Sequence, residues 1–431
     1  MKCHGPFEAH TRNLISMRVF LIALLFVPLF SFGQYNIRGI VLDSINHQPI
    51  PYVRVYVNGT SRSSLTDIAG TFILNNITLP AQVVASQIGY SPKVTVLNYT
   101  NLNNITILLK ERPIELSEMT VKGKNMRAFN VRDFKAYFIG SDYWGMNAVL
   151  KNEDALVFND NYETQKVMIP DSLKRRFSKF SINTQWSSDS TYILKKVKFI
   201  EATANAPLLI DLPLLGYVLH VDLVGFTIKP IDGKISSYSL GYYYFEPYSD
   251  TRKIRKYEKK RQLAYYHSQQ HFFRSLFTNS LSQNGYQLIE LIPKKQTKQL
   301  IQLGSVKQSD KYDTKPINID TCIQHTNDNK IHINKLNNRQ LAILYFYKTN
   351  GKPINLSTQK SNTNLQSAVY FLSDTCTVRS DGTVPDINIS FSGAISDKKA
   401  GASLPDDYMP LETPEPENAS LPENSKPKST H

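Results

Sequence analysis

A chain of 431 residues with 41% hydrophobic and 20% charged residues has room for about three domains and enough apolar content to bury real cores. That balance excludes a chain disordered throughout. Lys and Arg number 50 against 36 Asp and Glu, a formal charge of +14, so the folded protein is drawn to anionic surfaces such as phosphate-rich lipid or polysaccharide.

The chain begins with a targeting pattern. From Met17 it reads MRVFLIALLFVPLFSFGQ: a basic Arg18, an apolar run from Val19 to Phe30, then Ser31 and Gly33 as small residues at a cleavage site. Residues 1–33 therefore read as a signal peptide, with Met17 as the start, and the run is short for a membrane span. Gln34 stands where a lipoprotein would need Cys. No second long apolar run follows, so the expected protein is exported, and periplasmic or associated with the outer membrane. Cys322 and Cys376 are then the cysteines left after cleavage. In an oxidising compartment they are a candidate disulfide, stabilising by roughly 4 kcal/mol in the chain-entropy account; two buried thiols are the alternative.

Residues 34–112 read as short strands. NIRGIVLD and PYVRVYVNG alternate with period two around the turn SINHQPIP. TDIAGTFIL follows, with Asp67 and Gly70 shaping a tight turn and Phe72 and Leu74 pointing into one core. AQVVASQIGYSPKVTVL and NNITILLK supply more strands, and together these predict a small β-sandwich. The succession of IRGIVLD, PIPYVRVYVNGT, TDIAGTFIL, IGYSPKVTV and ITILL resembles the carboxypeptidase-regulatory-like domain, a seven-stranded transthyretin-type sandwich found in exported Bacteroidota proteins.

What such a domain is joined to can be tested on the remaining residues. A metallocarboxypeptidase zinc site needs His-x-x-Glu, and no histidine after the leader has Glu three residues on. TonB-dependent receptors carry the domain before a lead-in similar to ELSEMTVKG at 115–123, but their barrel needs roughly 220 residues in strands alone. Residues 124–431 hold only a handful of alternating segments. The stretches FKAYFIG, AVLKNEDALVF, ANAPLLIDLPLLGYVLHVDLVGF, YSLGYYYFEPY, AYYHSQQHFFRSLFTNSLSQNGYQL and ISFSGAISDKKAGASLPDDYMP resemble, in order, an exported Bacteroidota family with this sandwich at its N-terminus. That resemblance brings no agreed activity.

The sequence predicts a mainly β chain: a linker at 113–129, a β-rich middle domain at 130–292 with one clear helix at about 268–284, a linker at 293–313, and a C-terminal β region at 314–410. Residues 411–431, rich in Pro and Glu, read as a disordered tail. Asp232-Gly233, Asn350-Gly351 and Asp381-Gly382 are turn signals.

Candidate chemistry is sparse. His267 and His271 have the spacing of a helical metal pair, but Ser268 is the better N-cap, which puts His267 before the helix. The resemblance implies the same, because its pattern is Gly-Ser-x-x-His-Phe and only His271 matches. The run RKIRKYEKKR carries seven cations; Arg252, Lys253, Arg255 and Lys256 are candidate contacts for anionic lipid or lipopolysaccharide, against a plain solvated loop. Tyr242, Tyr243, Tyr244 and Tyr248 form a candidate sugar-stacking platform, or they pack. No nucleophile elbow, phosphate loop, dinucleotide fingerprint or calcium loop is found, so no cofactor is implied, and export argues against nucleic acid. The expected function is an exported envelope binding or scaffold protein whose partner is an envelope protein or glycan. The alternative is an envelope hydrolase using His271, Glu246, Asp222 or His220 as acid–base groups.

Overall fold

Alternation of apolar and polar residues organises most of the chain. The computed structural model describes residues 34–100, 102, 104–112, 124–168, 184–186, 191–231, 234–294, 312–326, 329–348, 350–361, 364–385 and 389–411. The leader at 1–33, most of the expected linkers and the tail from 412 lie outside the described residues, as do the Asp232-Gly233 turn residues.

The N-terminal unit comprises β1 (Tyr35–Asp43), β2 (Arg54–Val57), β3 (Ser63–Leu65), β4 (Thr71–Ile77), β5 (Ala81–Ser86), β6 (Tyr90–Ser91), β7 (Lys93–Leu97) and β8 (Ile105–Glu111). They form two four-stranded sheets, β4-β1-β8-β6 and β3-β2-β5-β7. There are eight strands rather than seven because the two-residue β6 forms a sheet edge of its own. Phe72 and Leu74 are buried between the sheets as expected, with Val41, Val55, Val83 and Ile107. Gly39 permits the close pairing of β1 with β8: a Cβ there would lie 2.4 Å from the Ile105 carbonyl and 2.6 Å from the Phe72 ring.

The middle unit opens with a helix the sequence pattern did not reveal, α1 (Lys124–Phe134), which runs on into a wider turn at Lys135–Ile139. Then come α2 (Tyr143–Asn147), β9 (Val149–Leu150), β10 (Leu156–Met168), β11 (Thr184–Trp186), β12 (Thr191–Ala204), β13 (Leu208–Leu212), β14 (Tyr217–Ile231) and β15 (Lys234–Pro247). The sheet runs β10-β12-β14-β13-β9, with β15 along β14 and β11 along β12. The expected hairpin is present, since Ile231 pairs with Lys234. Phe134 and Phe138 of α1 and its extension pack on Phe226 of β14, closing one face of the sheet.

The charged run 252–261 is largely a helix rather than a loop: α3 (Ile254–Tyr265) turns Tyr257, Glu258 and Gln262 inward. The predicted helix at 268–284 is shorter, α4 (Gln269–Phe277). Asn279, at φ 50, takes the chain out of the helix, and Gly285, at φ 76, instead leads into the next strand. The expected boundary near 292 also moves. β16 (Tyr286–Pro293) pairs with β17 (Tyr312–Pro316) and β20 (Gln340–Phe346), so it belongs to the third unit. β18 (Ile323–His325), β19 (Lys330–Asn334), β21 (Asn364–Phe371), β22 (Thr375–Arg379) and β23 (Ile389–Gly393) complete that unit as sheets β17-β16-β20-β21-β23 and β18-β19-β22. Phe272, Phe273 and Leu276 of α4 share its core. Cys322 and Cys376 are both buried there, as thiols. Cys376 sits opposite Ile333, which sits opposite Ile323, so about 10 Å of sheet separates the two cysteines. An S–S bond would require backbone movement.

After β23 a four-residue helix, α5 (Ala394–Asp397), leads into a strap, 398–411, irregular apart from a 3-10 turn at Ala400–Ala402, that returns across the molecule. Its Ala402 joins the core of the middle unit.

Candidate functional site at the domain junctions

Period-two alternation sends His220 and Asp222 of β14 to one face of the middle sheet. Tyr244 lies opposite His220, Tyr242 opposite Asp222, and Glu246 opposite Val218. The β2–β5 sheet of the N-terminal unit covers this face. Tyr56 Oη donates to Asp222 at 2.5 Å and Ser86 Oγ donates to it at 2.6 Å. Around them Tyr56, Val84 and Tyr244 form a small apolar cluster. Burial raises the Asp222 pKa above the ordinary carboxylate range, opposed by the two hydroxyl donors. At the rim His220 Nε2 lies 2.7 Å from Glu246, and the Arg54 guanidinium sits 5.1 Å over the Tyr244 ring. Burial lowers the His220 pKa, and the Glu246 bond opposes this.

The backbone completes this contact. Among the described strands β15 pairs with β14 alone, leaving an open edge that would otherwise expose unpaired amides. The loop after β2 fills part of it: Gly59 N donates to Tyr243 O at 2.7 Å and Phe245 N donates to Thr60 O at 3.0 Å. Asn58 Oδ1 accepts from Tyr243 N.

Three of the four candidate acid–base residues, His220, Asp222 and Glu246, are thus brought together, Asp222 beneath the N-terminal unit and His220 with Glu246 at its rim. His271 is elsewhere. It is 3% exposed, and its backbone N donates to the Ser268 hydroxyl at 3.1 Å, so Ser268 is the N-cap the sequence predicts. Its Nδ1 accepts from His267 N at 3.2 Å and is 2.9 Å from Tyr286 Oη. Two donors converging on Nδ1 place the ring proton on Nε2, and burial holds the His271 pKa down to about 3. His267 stands before the helix at φ 59, a conformation that glycine adopts without strain. Its ring stacks on Tyr345, with centroids 4.8 Å apart. The imidazoles therefore do not share a helical face. Among the described residues no group of three or more His, Cys, Asp or Glu is arranged to hold a metal ion.

The tyrosine platform is likewise taken apart by the sheet. Tyr244 is 4% exposed and Tyr242 packs beside it under the N-terminal unit. Tyr243 packs against the core on the opposite face. Tyr248 Oη donates to Asp211, and its ring meets Tyr257 edge-on. By contrast, Arg252, Lys253, Arg255 and Lys256 all lie exposed on or beside α3.

The strap is the feature that sequence reasoning missed. Lys398 Nζ donates to the carbonyls of Leu263 at 3.2 Å, Ala264 at 2.9 Å and Tyr266, capping the C-terminus of α3 where carbonyls point outward unpaired. Burial brings the Lys398 pKa down to about 7. Arg274 of α4, 8% exposed, donates to the carbonyls of Asp381, Tyr408 and Asp406 at 2.8, 2.7 and 2.8 Å. Tyr408 Oη donates to Glu258 at 2.6 Å. Asp406 N donates to Gly59 O at 2.7 Å, and Arg62 pairs with Asp407 at 3.3 Å. One segment thereby contacts all three units. Where they meet lies a half-open cleft of about 1440 Å³, lined among others by Thr60, Tyr243, Gln270, Arg379, Lys399 and Asp406. Arg379 Nε is buried there without a hydrogen-bond partner among the described residues.

Residues 37–121 match the family of CarboxypepD_reg-like domains. The chain carries such a domain at its N-terminal end. No curated protein matches the chain. Among solved structures, a Bacteroides fragilis protein of unknown function, provisionally described as membrane-associated, is similar at 13% identity over 50% of this chain and 99% of that one, with a TM-score of 0.15. No helix among the described residues is long and apolar enough to cross a membrane.

Proposed function

We propose that this is an exported cell-envelope binding or scaffold protein, in which a CarboxypepD_reg-like sandwich is fixed to two further β domains and the ligand, an envelope protein or glycan, enters the cleft where all three meet. The observation that carries this reading is the strap: residues 398–411 bond to the loop at Gly59, to α3 and to α4, so the walls of the cleft are held in one arrangement. A site assembled in advance binds without an ordering penalty. Two of the candidate hydrolase residues support the same reading, because Asp222 is occupied by Tyr56 and Ser86, and His271 by Tyr286 and His267.

Titration calorimetry against soluble peptidoglycan fragments, envelope oligosaccharides and envelope proteins tests it. Saturable binding that is lost in an Arg379→Ala, Lys399→Ala variant with unchanged circular dichroism is the expected outcome. Turnover of any of these molecules, abolished by Glu246→Gln, would instead establish the hydrolase; binding indifferent to the cleft variant would remove the site.

A further inference from the structure

We propose that the exposed arc of α3 is a docking surface for an anionic phospholipid bilayer. Arg255, Lys256 and Lys259 are exposed, and none forms an ion pair among the described residues; just before the helix, Arg252 and Lys253 pair with Asp250. At 100° per residue, Arg255, Lys256, Lys259 and Lys260 fall on one side of the helix, with Lys260 also donating to Tyr143 Oη at 3.0 Å.

Two physical terms oppose this charge pattern within the molecule. The first turn of α3 holds no acidic residue, and Lys253 stands at its N-cap, so cations cluster at the end of the helix where the backbone dipole is already positive. Arg255 and Lys259 are four residues apart, as are Lys256 and Lys260, and like charges at that spacing repel. The one acid of the helix, Glu258, is turned inward to accept from Tyr408. An external anion relieves both terms.

The fringe of the arc indicates which anion. Gln262 Nε2 donates to Leu411 O and Leu411 N donates to Glu258, which fixes the end of the strap along the flank of α3. There Met409 is 67% and Leu411 61% exposed. Cations bordered by exposed aliphatic side chains fit the headgroup region of a bilayer, where ammonium and guanidinium groups meet phosphates and the apolar groups enter the acyl boundary. A nucleic-acid backbone would leave the apolar fringe in water.

Co-sedimentation of the full chain with vesicles of mixed phosphatidylglycerol and phosphatidylcholine, against vesicles of phosphatidylcholine alone, tests the assignment. The protein is expected to pellet with the anionic vesicles and to be released as salt rises. A variant combining Arg255→Gln, Lys256→Gln and Lys259→Gln should bind them roughly a hundredfold more weakly, and Met409→Ser with Leu411→Ser roughly severalfold more weakly. Equal pelleting with both vesicle types, no pelleting at all, or an unchanged affinity in the triple variant would overturn the proposal. So would duplex DNA that competes with the vesicles and binds as tightly at the same salt. The salt dependence of the unmodified protein is a second readout that needs no variant.

Discussion

The N-terminal unit and the third unit are both fastened to the middle of the molecule, but in different ways. The first is held at a face: one carboxylate, Asp222, receives two hydroxyls while a loop patches the β15 edge. The third is held by a ribbon: Lys398, Arg274, Gln270 and Tyr408 bind mostly backbone carbonyls, distributed along the strap and the helices beside it. A face contact concentrates its stability in a few side chains whose type is fixed. A ribbon of main-chain bonds tolerates sequence change except at the few side chains that reach into it.

The largest expected effect is at the ribbon. Arg274→Ala leaves three carbonyls without their charged donor and should destabilise the protein by about 4 kcal/mol in denaturant unfolding. Arg274→Lys keeps the charge but supplies a compact ammonium that cannot span the three acceptors, and it should recover less than half of that loss. At the face, Asp222→Ala strands the Tyr56 and Ser86 hydroxyls and should cost about 2 kcal/mol, with Tyr56→Phe about 1 kcal/mol. If both face variants were neutral while Arg274→Ala remained severe, the face would be only a passive contact.

Acidity separates the two regions by sign. The unfolded His271 titrates near 6.5 and the folded one near 3, so the unfolded chain binds the extra proton between those values. Its contribution to stability is full above pH 6.5 and is lost as pH falls toward 3. Asp222 is shifted the other way, upward from 3.8; in the window above 3.8 the folded state holds more protons, and stability falls as pH rises through it. Asp222→Asn should therefore remove a decline with rising pH, whereas His271→Asn should remove a decline with falling pH, both read from melting temperature against pH. Lys398, at about 7 when folded against 10.5, adds a rise in stability from pH 7 to 10.5, absent in Lys398→Met.

Much of the face was legible in the sequence. Alternation in GYVLHVDLVGFTI and SYSLGYYYF gives the β14–β15 hairpin, and its parity already groups His220 and Asp222, and separately Tyr242 and Tyr244. What parity cannot tell is which surface lands on that side, so those tyrosines read as a platform when the N-terminal sheet covers them. Ser268 and the break at His267 were legible because an N-cap is a local signal. The ribbon was not, since KKAGASLPDDYMP has neither helical nor strand period and its bonds are to backbone atoms. In the run 252–261, seven cations masked an inward row at Tyr257, Glu258 and Gln262 of α3. Strand β16 read as part of the middle domain because alternation identifies a strand without naming its neighbour.

The central claim, that face and ribbon join three β domains into one body with a shared cleft, is tested most directly by differential scanning calorimetry of the chain. A single cooperative transition is predicted, splitting into two when Arg274→Ala is introduced. Separate transitions in the unmodified protein, with the N-terminal sandwich melting on its own, would contradict it.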